Sequence, residues 1–231
     1  MSDRSDFVIE DGVLVEYTGK DINVVIPDDG SVTVLGDTCF SYCWRVKSVS
    51  IPASVVSLGK ACFDSCSSLE SVGIPSSVGS LGDYCFTFCR DLKSVGIPSS
   101  VGSLGDGCFY GCKSLKSFTL PDSISFLSNL CFFDCTSLEE IIIPNSITAM
   151  GNSCFFGCRS LKSVSIPDSV ESLGSWCFYE CSSLERIMIP NSVTSFGEEC
   201  FFGCDNLTIY AKEGSAAAEY AEKNGINLVL I

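Results

Sequence analysis

The chain has 231 residues, of which 46% are hydrophobic, and its formal net charge is −14 at pH 7. An acidic chain without basic stripes is a poor match for nucleic acid, and no apolar run approaches the roughly 20 residues that span a bilayer. The composition therefore argues against nucleic-acid binding and membrane insertion, while providing ample apolar material for burial.

The N-terminal segment predicts a β-hairpin. Residues from Phe7 to Tyr17 alternate between apolar and polar around Asp11-Gly12, a two-residue turn signal. The residues before Phe7 lack the apolar stretch of a signal peptide. Either the protein is cytoplasmic, as Met1 being the native start would imply, or the sequence begins after a removed leader.

The rest of the chain is organised by the motif Cys-Phe-x-x-Cys, which occurs eight times. Its leading cysteines recur every 23 residues, at positions 39, 62, 85, 108, 131, 154, 177 and 200. The trailing cysteines keep the same step, so all sixteen cysteines belong to the motif. A fixed period between about 20 and 50 residues indicates a solenoid of stacked coils.

Each repeat opens with a predicted short strand, which is clearest in residues 161–183. There Val164 and Ile166 lie on one side of the strand and Ser165 on the other. Stacked copies would form a parallel sheet with one strand per repeat. A proline, which cannot donate to a ladder, follows every strand and turns the chain away. The prolines are Pro27, Pro52, Pro75, Pro98, Pro121, Pro144, Pro167 and Pro190.

The turn after each strand carries two recurring small residues. A serine two residues after the proline is predicted to bond unpaired backbone groups of the turn. These serines are Ser54, Ser77, Ser100, Ser123, Ser146, Ser169 and Ser192. A later glycine is predicted to have a positive φ. The glycines are Gly36, Gly59, Gly82, Gly105, Gly151, Gly174 and Gly197, with Ser128 as the exception. The Cys-Phe-x-x-Cys segment that follows is predicted to be a helical turn.

The repeat decays after Cys204. Ser215 is a predicted N-cap, residues 216–223 are a predicted helix, and Gly225 is its predicted C′ residue. Alternating apolar residues then predict a final strand at Ile226, Leu228 and Leu230.

The whole pattern resembles the leucine-rich repeat in its BspA-like form, whose repeats read much like Leu-Lys-Ser-Val-x-Ile-Pro followed by Leu-Gly-x-x-Ala-Phe-x-x-Cys. The similarity runs from about Val13 to the C-terminus. One departure is that cysteine replaces the usual alanine before the phenylalanine in all eight repeats. The resemblance implies a non-catalytic surface or interaction module that binds proteins or other macromolecules, and a cell-surface or secreted location.

The predicted fold is a single right-handed leucine-rich-repeat solenoid, an α/β repeat class dominated by β-strands, with short helical turns on the opposite face. The predicted domain is 1–231, with an N-terminal hairpin cap (1–34), eight 23-residue repeats (35–207) and a C-terminal helix-strand cap (208–231). Residues 1–39 hold nine acids and two bases, and residues 198–231 hold six acids and two bases. We interpret these charges as solubilising caps that stop the stack from continuing between molecules.

The sixteen cysteines have three interpretations. Adjacent repeats would offer four sulfurs to a soft metal, and neighbouring coils roughly 5 Å apart are within range of a disulfide. A column of equivalent sulfurs defines no unique pairing, however, and the chain has no histidine. We favour free thiols buried as small hydrophobic groups, with no metal and no cofactor. Without histidine there is no Cys-His or Ser-His pair, so we predict that the protein is not an enzyme.

One charged column follows the first residue of each strand and mostly alternates in sign, which predicts surface ion pairs between coils. Its members are Lys47, Glu70, Lys93, Lys116, Glu139, Lys162 and Glu185.

Two surfaces are candidate interaction sites. The outward strand face has small residues in early repeats and larger ones later, which indicates partner contacts. The candidate partner-binding residues are Glu140, Ile142, Arg186 and Met188. The residue after the motif phenylalanine is aromatic in five consecutive repeats, which indicates a self-association interface. We name these five the aromatic stripe: Tyr110, Phe133, Phe156, Tyr179 and Phe202.

From these features we predict a non-catalytic macromolecule-binding module, for protein–protein interaction or adhesion, that can form a homodimer. The alternative is a structural or self-associating spacer within a larger assembly. A cysteine-thiolate metal-binding protein is a less favoured third hypothesis.

Overall fold

The hairpin predicted at the N-terminus is present in the computed structural model, which describes residues 2–231. A 3₁₀ helix, Arg4–Asp6, leads into the antiparallel strands β1 (Phe7–Glu10) and β2 (Val13–Tyr17). The turn residues Asp11 and Gly12 have φ values of 48° and 82°, the left-handed geometry of a two-residue hairpin turn.

One strand of every coil lies in a parallel array, which we call the strand face. Its members are β3 (Asn23–Val25), β5 (Ser48–Ser50), β7 (Ser71–Gly73), β9 (Ser94–Gly96), β11 (Ser117–Thr119), β13 (Glu140–Ile142), β15 (Ser163–Ser165), β17 (Arg186–Met188), β19 (Thr208–Ala211) and β20 (Asn227–Leu230). The hydrogen-bonded groups are β3-β5-β7-β9, β11-β13 and β15-β17-β19-β20. The middle residue of a typical strand is buried and its neighbours are exposed, which confirms the predicted alternation.

A second parallel array, the short-strand face, lies after the proline turn. Its members are β4 (Val34–Leu35), β6 (Ser57–Leu58), β8 (Ser80–Leu81), β10 (Ser103–Leu104), β12 (Phe126–Leu127), β14 (Ala149–Met150), β16 (Ser172–Leu173) and β18 (Ser195–Phe196). Strand β2 pairs with β4, so the hairpin extends this face at the N-terminal end. The molecule is thus a strand-dominated solenoid of stacked coils.

The proline turns confirm one prediction and refine another. From Pro52 to Pro190, each proline carbonyl accepts the N–H three residues later, at 3.0–3.2 Å. The serine hydroxyls reach the preceding coil instead of closing their own turn; for example, Ser54 donates to the carbonyl of Val32 at 2.7 Å. Six of the seven serines make this bond, at 2.5–2.7 Å, and Ser192 is the exception.

The repeated glycine is required for a different reason from the one predicted. None of the seven glycines has a positive φ. Instead, the backbone of the preceding coil leaves no room for a side chain. A Cβ on Gly82 would lie 2.5 Å from the carbonyl carbon of Gly59, and a Cβ on Gly174 would lie 2.6 Å from that of Gly151. Close approach between coils therefore selects glycine.

Ser128 shows what happens where this glycine is missing. In neighbouring coils the glycine N–H donates to a leucine carbonyl, from Gly105 to Leu81 at 3.0 Å and from Gly151 to Leu127 at 2.7 Å. At Ser128 the side-chain hydroxyl makes the equivalent bond to the carbonyl of Leu104, at 2.6 Å. Strands β10 and β12 are not paired in the described chain, so the short-strand face is divided at this coil.

The Cys-Phe-x-x-Cys segments are turns and not helices, which corrects the prediction. In every coil the residue before each cysteine has a positive φ; in the first coil these are Thr38 (57°) and Tyr42 (61°). This conformation directs alternate N–H groups at the next coil, as from Phe40 to the carbonyl of Cys62 at 2.9 Å. Bonds between coils thus take up every second N–H group, while the others bond three residues back, as from Cys43 to the carbonyl of Phe40 at 3.1 Å. The i to i−4 bonds of a helix are absent from these segments.

The core of the solenoid is the column of motif phenylalanines, from Phe40 to Phe201. All eight are buried, and neighbouring rings are stacked with centroids 5.1–5.5 Å apart. Tyr17 and Phe7 of the hairpin continue the column, with centroids at 5.1 and 5.2 Å. The hairpin therefore covers the apolar end of the first coil.

The C-terminal cap also follows its prediction. Helix α1 spans Ala216–Asn224, Ser215 accepts the N–H of Ala218, and Gly225 has a φ of 67°. Strand β20 pairs with β19 in parallel, with Ile226 and Leu228 packed against the core and Leu230 exposed at its end. Helix α1 is too short to span a membrane, and no other helix within residues 2–231 is long and apolar enough to do so.

Candidate interaction surfaces

The strand face presents two parallel rows of outward side chains. Strand pairing aligns the first residues of successive strands and, separately, their third residues. Towards the N-terminus these rows are mostly serine and glycine, and towards the C-terminus they become larger. The outward side chains of the strand face therefore increase in size from the N-terminal to the C-terminal coils, in aligned rows on one surface.

All four candidate partner-binding residues are exposed on this face, but they form two pairs. Glu140 and Ile142 lie on β13, while Arg186 and Met188 lie on β17. Strand β15, with two small serines, lies between them, so the pairs are roughly 10 Å apart. Ile142 is 53% exposed and Met188 is 58% exposed, high values for apolar side chains. Neither charged residue is in any of the ion pairs of residues 2–231.

The structure adds two residues that the sequence did not indicate. Tyr210 is paired with Met188, and Val229, which is 41% exposed, is paired with Tyr210. They were missed because the cap departs from the 23-residue period: Arg186 pairs with Thr208, 22 residues later. Leu207 was the available signal, because it opens its strand as Leu184 opens the previous one.

The aromatic stripe is a continuous stack of rings. Neighbouring centroids are 4.5, 4.5, 4.6 and 5.0 Å apart, with interplanar angles of 3–21°. Phe88 extends it edge-on, 5.2 Å from Tyr110. The first four members are half-buried by their neighbours, whereas Phe202 is 58% exposed. The stripe is therefore an exposed ridge of ring edges that ends in one open ring.

A further aromatic group lies at the N-terminal coil and had no sequence signal. Tyr42 is 71% exposed and Trp44 is 58% exposed, and the Arg45 guanidinium lies 4.6 Å from the centroid of Trp44. Together with Cys43 and Lys20 they line a small cavity of about 170 Å³. The residues at the positions of Tyr42 and Trp44 vary among the other repeats, so the repeat pattern does not single out these two aromatic residues.

The cysteines are free thiols, fifteen of them buried and Cys43 half-buried. Seven of the trailing cysteines donate an S–H bond to a phenylalanine carbonyl of the preceding coil, at 3.0–3.2 Å. Each of these carbonyls also accepts an N–H from its own coil, as Phe40 does from Cys43. The trailing thiol is thus a weak donor that links neighbouring coils.

Burial disfavours the ionised thiol. It raises the pKa of Cys43 to about 11 and that of Cys204 to about 12, and it raises the pKa of Cys112 well above the ordinary range. Because the thiolate is the nucleophile and the metal ligand, these thiols are poorly suited to either role. Within residues 2–231, no three acidic, cysteine or histidine residues are grouped to hold a metal ion.

The charged column forms only part of the predicted ladder. Glu70 pairs with Lys47 at 3.1 Å and with Lys93 at 2.6 Å, and these bonds hold the pKa of its carboxyl below the usual range. The later members of the column form no such pairs among the described residues. The column is a local structural feature of the early coils.

Stacked coils, a buried phenylalanine column and exposed strand faces define a leucine-rich-repeat protein. Residues 16–139 and 128–215 match the model of the BspA type leucine rich repeat region (6 copies). The chain therefore belongs to the BspA-type leucine-rich-repeat family, as the resemblance predicted. Membership indicates a protein-interaction or surface repeat module, and proteins of this class are generally non-catalytic.

Solved bacterial structures share the fold. A leucine-rich repeat protein from Bacteroides ovatus is 27% identical over 99% of this chain and 64% of its own, with a TM-score of 0.74. A T. pallidum leucine rich repeat protein is 25% identical over 99% and 97%, with a TM-score of 0.64. A leucine rich cell surface protein from Faecalibacterium prausnitzii is 23% identical over 90% and 75%, also with a TM-score of 0.64. The chain thus spans less than two thirds of the B. ovatus protein's length. No curated protein matches the sequence.

Proposed function

We propose that the chain is a non-catalytic protein-binding module whose contact surface is the C-terminal half of the strand face. The observation that carries this proposal is the pair of exposed apolar side chains, Ile142 and Met188, on a face whose outward residues from Ser48 to Thr119 are only serine, glycine and threonine. Each has a charged neighbour on its own strand, Glu140 or Arg186, that forms no ion pair with any of residues 2–231.

This arrangement has the character of a binding hot spot. Interfaces are enriched in Met, Arg and aromatic residues at their centres, and polar residues surround them. Tyr210 and Val229 extend the apolar row beyond Met188. The paired strands hold these side chains on a rigid sheet, which lowers the entropy lost on binding.

We infer that the coils wind in the right-handed sense, since crossovers between parallel strands are right-handed in about 98% of cases. We also treat residues 1–231 as one domain, with the hairpin and the α1–β20 segment as its caps. The unbroken sequence of inter-coil bonds from Tyr17 to Phe202 supports this division.

The test is binding to arrayed purified proteins and glycans, measured by surface plasmon resonance. The variant Glu140→Ser/Ile142→Ser/Arg186→Ser/Met188→Ser should lose more than about tenfold in affinity for a protein ligand, since losing hot spots costs at least about 2 kcal/mol. The matched control Ser50→Ala/Ser71→Ala/Ser94→Ala alters the same face nearer the N-terminus and should bind like the wild type. Equal binding by all three proteins, or no protein ligand at all, would support the spacer alternative.

Self-association through the aromatic stripe is the second candidate. Its support is the unbroken row of five stacked rings on one side of the solenoid. A two-fold contact there would pair the C-terminal halves of two copies and leave both strand faces accessible.

A further inference from the structure

The C-terminal end of the solenoid contains a cleft between the last coil and helix α1. Its volume is about 630 Å³. The last coil contributes Glu199, Phe202, Gly203 and Asp205 to its wall, and α1 contributes Tyr220. This cleft is separate from the strand-face residues proposed above as the protein-binding surface.

The hydrogen bonds between interior coils show which groups the N–H donors of the last coil can bind. In each Cys-Phe-x-x-Cys turn, alternate N–H groups donate to carbonyl groups of the next coil. Between the last two coils these bonds join Trp176 to Glu198, Phe178 to Cys200 and Glu180 to Phe202, at 2.7–2.8 Å. Every interior turn therefore binds the backbone of the next turn through a row of outward N–H groups.

The last turn has the same conformation but no following turn to bind. Glu199 and Gly203 keep the positive φ values, 48° and 77°, that direct these N–H groups outward. The middle donor of the row is Phe201. The Tyr220 hydroxyl lies beside it, where it accepts the N–H of Cys200 at 3.1 Å and also contacts the N–H of Phe201. The N–H groups of Glu199 and Gly203 have no backbone acceptor in the described chain. Two donors thus remain available at the wall of the cleft.

The aromatic stripe ends at the same place. Phe202 stacks on Tyr179 with one ring face, at a centroid distance of 5.0 Å, and is 58% exposed. Phe133, Phe156 and Tyr179 are each covered on both faces by neighbouring rings at 4.5–5.0 Å. An aromatic ring entering the cleft would therefore find the contact that each interior ring already makes.

The charge of the cleft distinguishes among ligands that offer both a hydrogen-bond acceptor for the N–H groups and an aromatic ring for Phe202. Glu199 and Asp205 line the cleft, and residues 198–231 hold six acids against two bases. An acidic ligand is repelled here, whereas a lysine or arginine side chain is attracted. A second copy entering by its hairpin end is also disfavoured, because residues 1–39 hold nine acids and two bases.

We propose that this cleft binds a peptide segment in which an aromatic residue is next to lysine or arginine. The aromatic ring stacks on Phe202, a backbone carbonyl of the peptide accepts the N–H of Gly203 or Glu199, and the base pairs with Glu199 or Asp205. The peptide thereby reproduces the contacts of one further coil.

The experiment titrates ¹⁵N-labelled protein with an acetylated, amidated five-residue peptide of alternating lysine and phenylalanine. Amide signals of Glu199 and Gly203 should shift most at up to about 1 mM peptide. The same peptide with leucine for phenylalanine should bind about two- to tenfold more weakly, because the stack on Phe202 is lost. With glutamate for lysine it should not bind.

Two matched variants locate the site. Phe202→Ser should reduce affinity for the lysine–phenylalanine peptide at least about tenfold, whereas Phe133→Ser, the same change within the stripe, should retain it. Both variants are compared for folding by their amide spectra, and Phe202 is exposed enough for the first to stay folded. No shift at Glu199 and Gly203, or equal binding by Phe202→Ser, would overturn the proposal. Shifts of Glu199 and Gly203 that depend on protein concentration without peptide, and that persist in Phe133→Ser/Phe156→Ser, would do the same, since they would place a second copy in the cleft and not at the stripe.

Discussion

Phe132 is the residue on which the core is best tested, because it lies in the middle of the phenylalanine column. Its ring is fully buried between Phe109 and Phe155, with centroids 5.5 Å away on both sides, and Phe118 contacts it edge-on at 4.9 Å. Phe132→Ala should lower the free energy of unfolding by about 3–5 kcal/mol, because a cavity forms that rigid neighbouring coils cannot fill. Urea unfolding followed by circular dichroism measures it.

Phe201→Ala is the matched control at the end of the same column. Phe201 stacks on Phe178 at 5.4 Å, but its other neighbour is Tyr220 of the cap, at 6.0 Å. The cap can relax into the space, so the loss should be smaller than at Phe132. An equal or smaller loss at Phe132 would mean that the column is not the main source of stability.

Cys43 differs from the other fifteen cysteines in being only half-buried. We expect native protein to react with a thiol reagent at this one position, and slowly, because its pKa is raised to about 11 and little thiolate is present. In denaturant the count should be close to sixteen. Cys43→Ser should remove the native reaction and lower the denatured count by one. A denatured count near zero would show that the thiols are oxidised.

At the scale of single elements, contact between coils decides both turn conformation and residue choice. The Cys-Phe-x-x-Cys segment has the spacing of a helical turn, yet it adopts alternating turns because its N–H groups bond to the next coil. The repeated glycine is likewise selected by the neighbouring backbone. A residue that recurs at every repeat shows that only certain residue types fit its position. The recurrence does not show whether the cause is the local backbone conformation or a contact with the next coil.

Gly82→Ala tests the close approach between coils. The new Cβ would lie 2.5 Å from the backbone of Gly59, so neighbouring coils must separate, and we expect a loss of about 1–3 kcal/mol in the free energy of unfolding. Gly79→Ala is the control, because a Cβ there has no atom within 4 Å and neither glycine has a positive φ. Urea unfolding of both variants makes the comparison. Similar values for the two would contradict the packing explanation.

The whole molecule should become less stable at alkaline pH. Burial raises thiol pKa values in the folded state, so the protonated thiols contribute stability that is complete below about pH 8.5, the pKa of an exposed thiol. That stability falls as the pH rises from there towards the raised folded values. Each such thiol adds about 1.36 kcal/mol per pH unit to the slope.

The control for this effect removes two leading cysteines from the middle of the stack. Burial raises the pKa of both Cys131 and Cys154. Above about pH 9, the free energy of unfolding should fall less steeply with pH in Cys131→Ala/Cys154→Ala than in the wild type. The difference in slope should be about 2.7 kcal/mol per pH unit. Alanine is the usual residue at this position in the family that the repeats resemble. Unchanged stability between about pH 8.5 and pH 10 would contradict buried, reduced thiols.

Oligomeric state is the second property of the whole molecule that the structure predicts. Like charge at the two acidic ends opposes end-to-end stacking, so a dimer should form through the aromatic stripe. Light scattering should show a dimer for the wild type and a monomer for Phe133→Ser/Phe156→Ser. A wild type that stays monomeric at high concentration rules out the dimer, and a dimeric double variant places the interface elsewhere.

The repeat sequence by itself determined the solenoid, the strand that precedes each proline and the buried phenylalanine column, but not the short-strand face. It could do so because each coil repeats the same residues in the same order, and burial alternates along short strands. Ser215 and Gly225 likewise marked the ends of helix α1 correctly, because helix caps are local signals.

Only the tertiary structure decided features that depend on the distance between coils. The turns around each cysteine pair, the need for glycine at Gly82 and the substitute bond of Ser128 all arise from backbone in the neighbouring coil. The cleft beneath α1 depends on where the cap lies relative to the last turn. These features come from contacts between residues about one repeat apart, and a pattern read along the chain contains no measure of that separation.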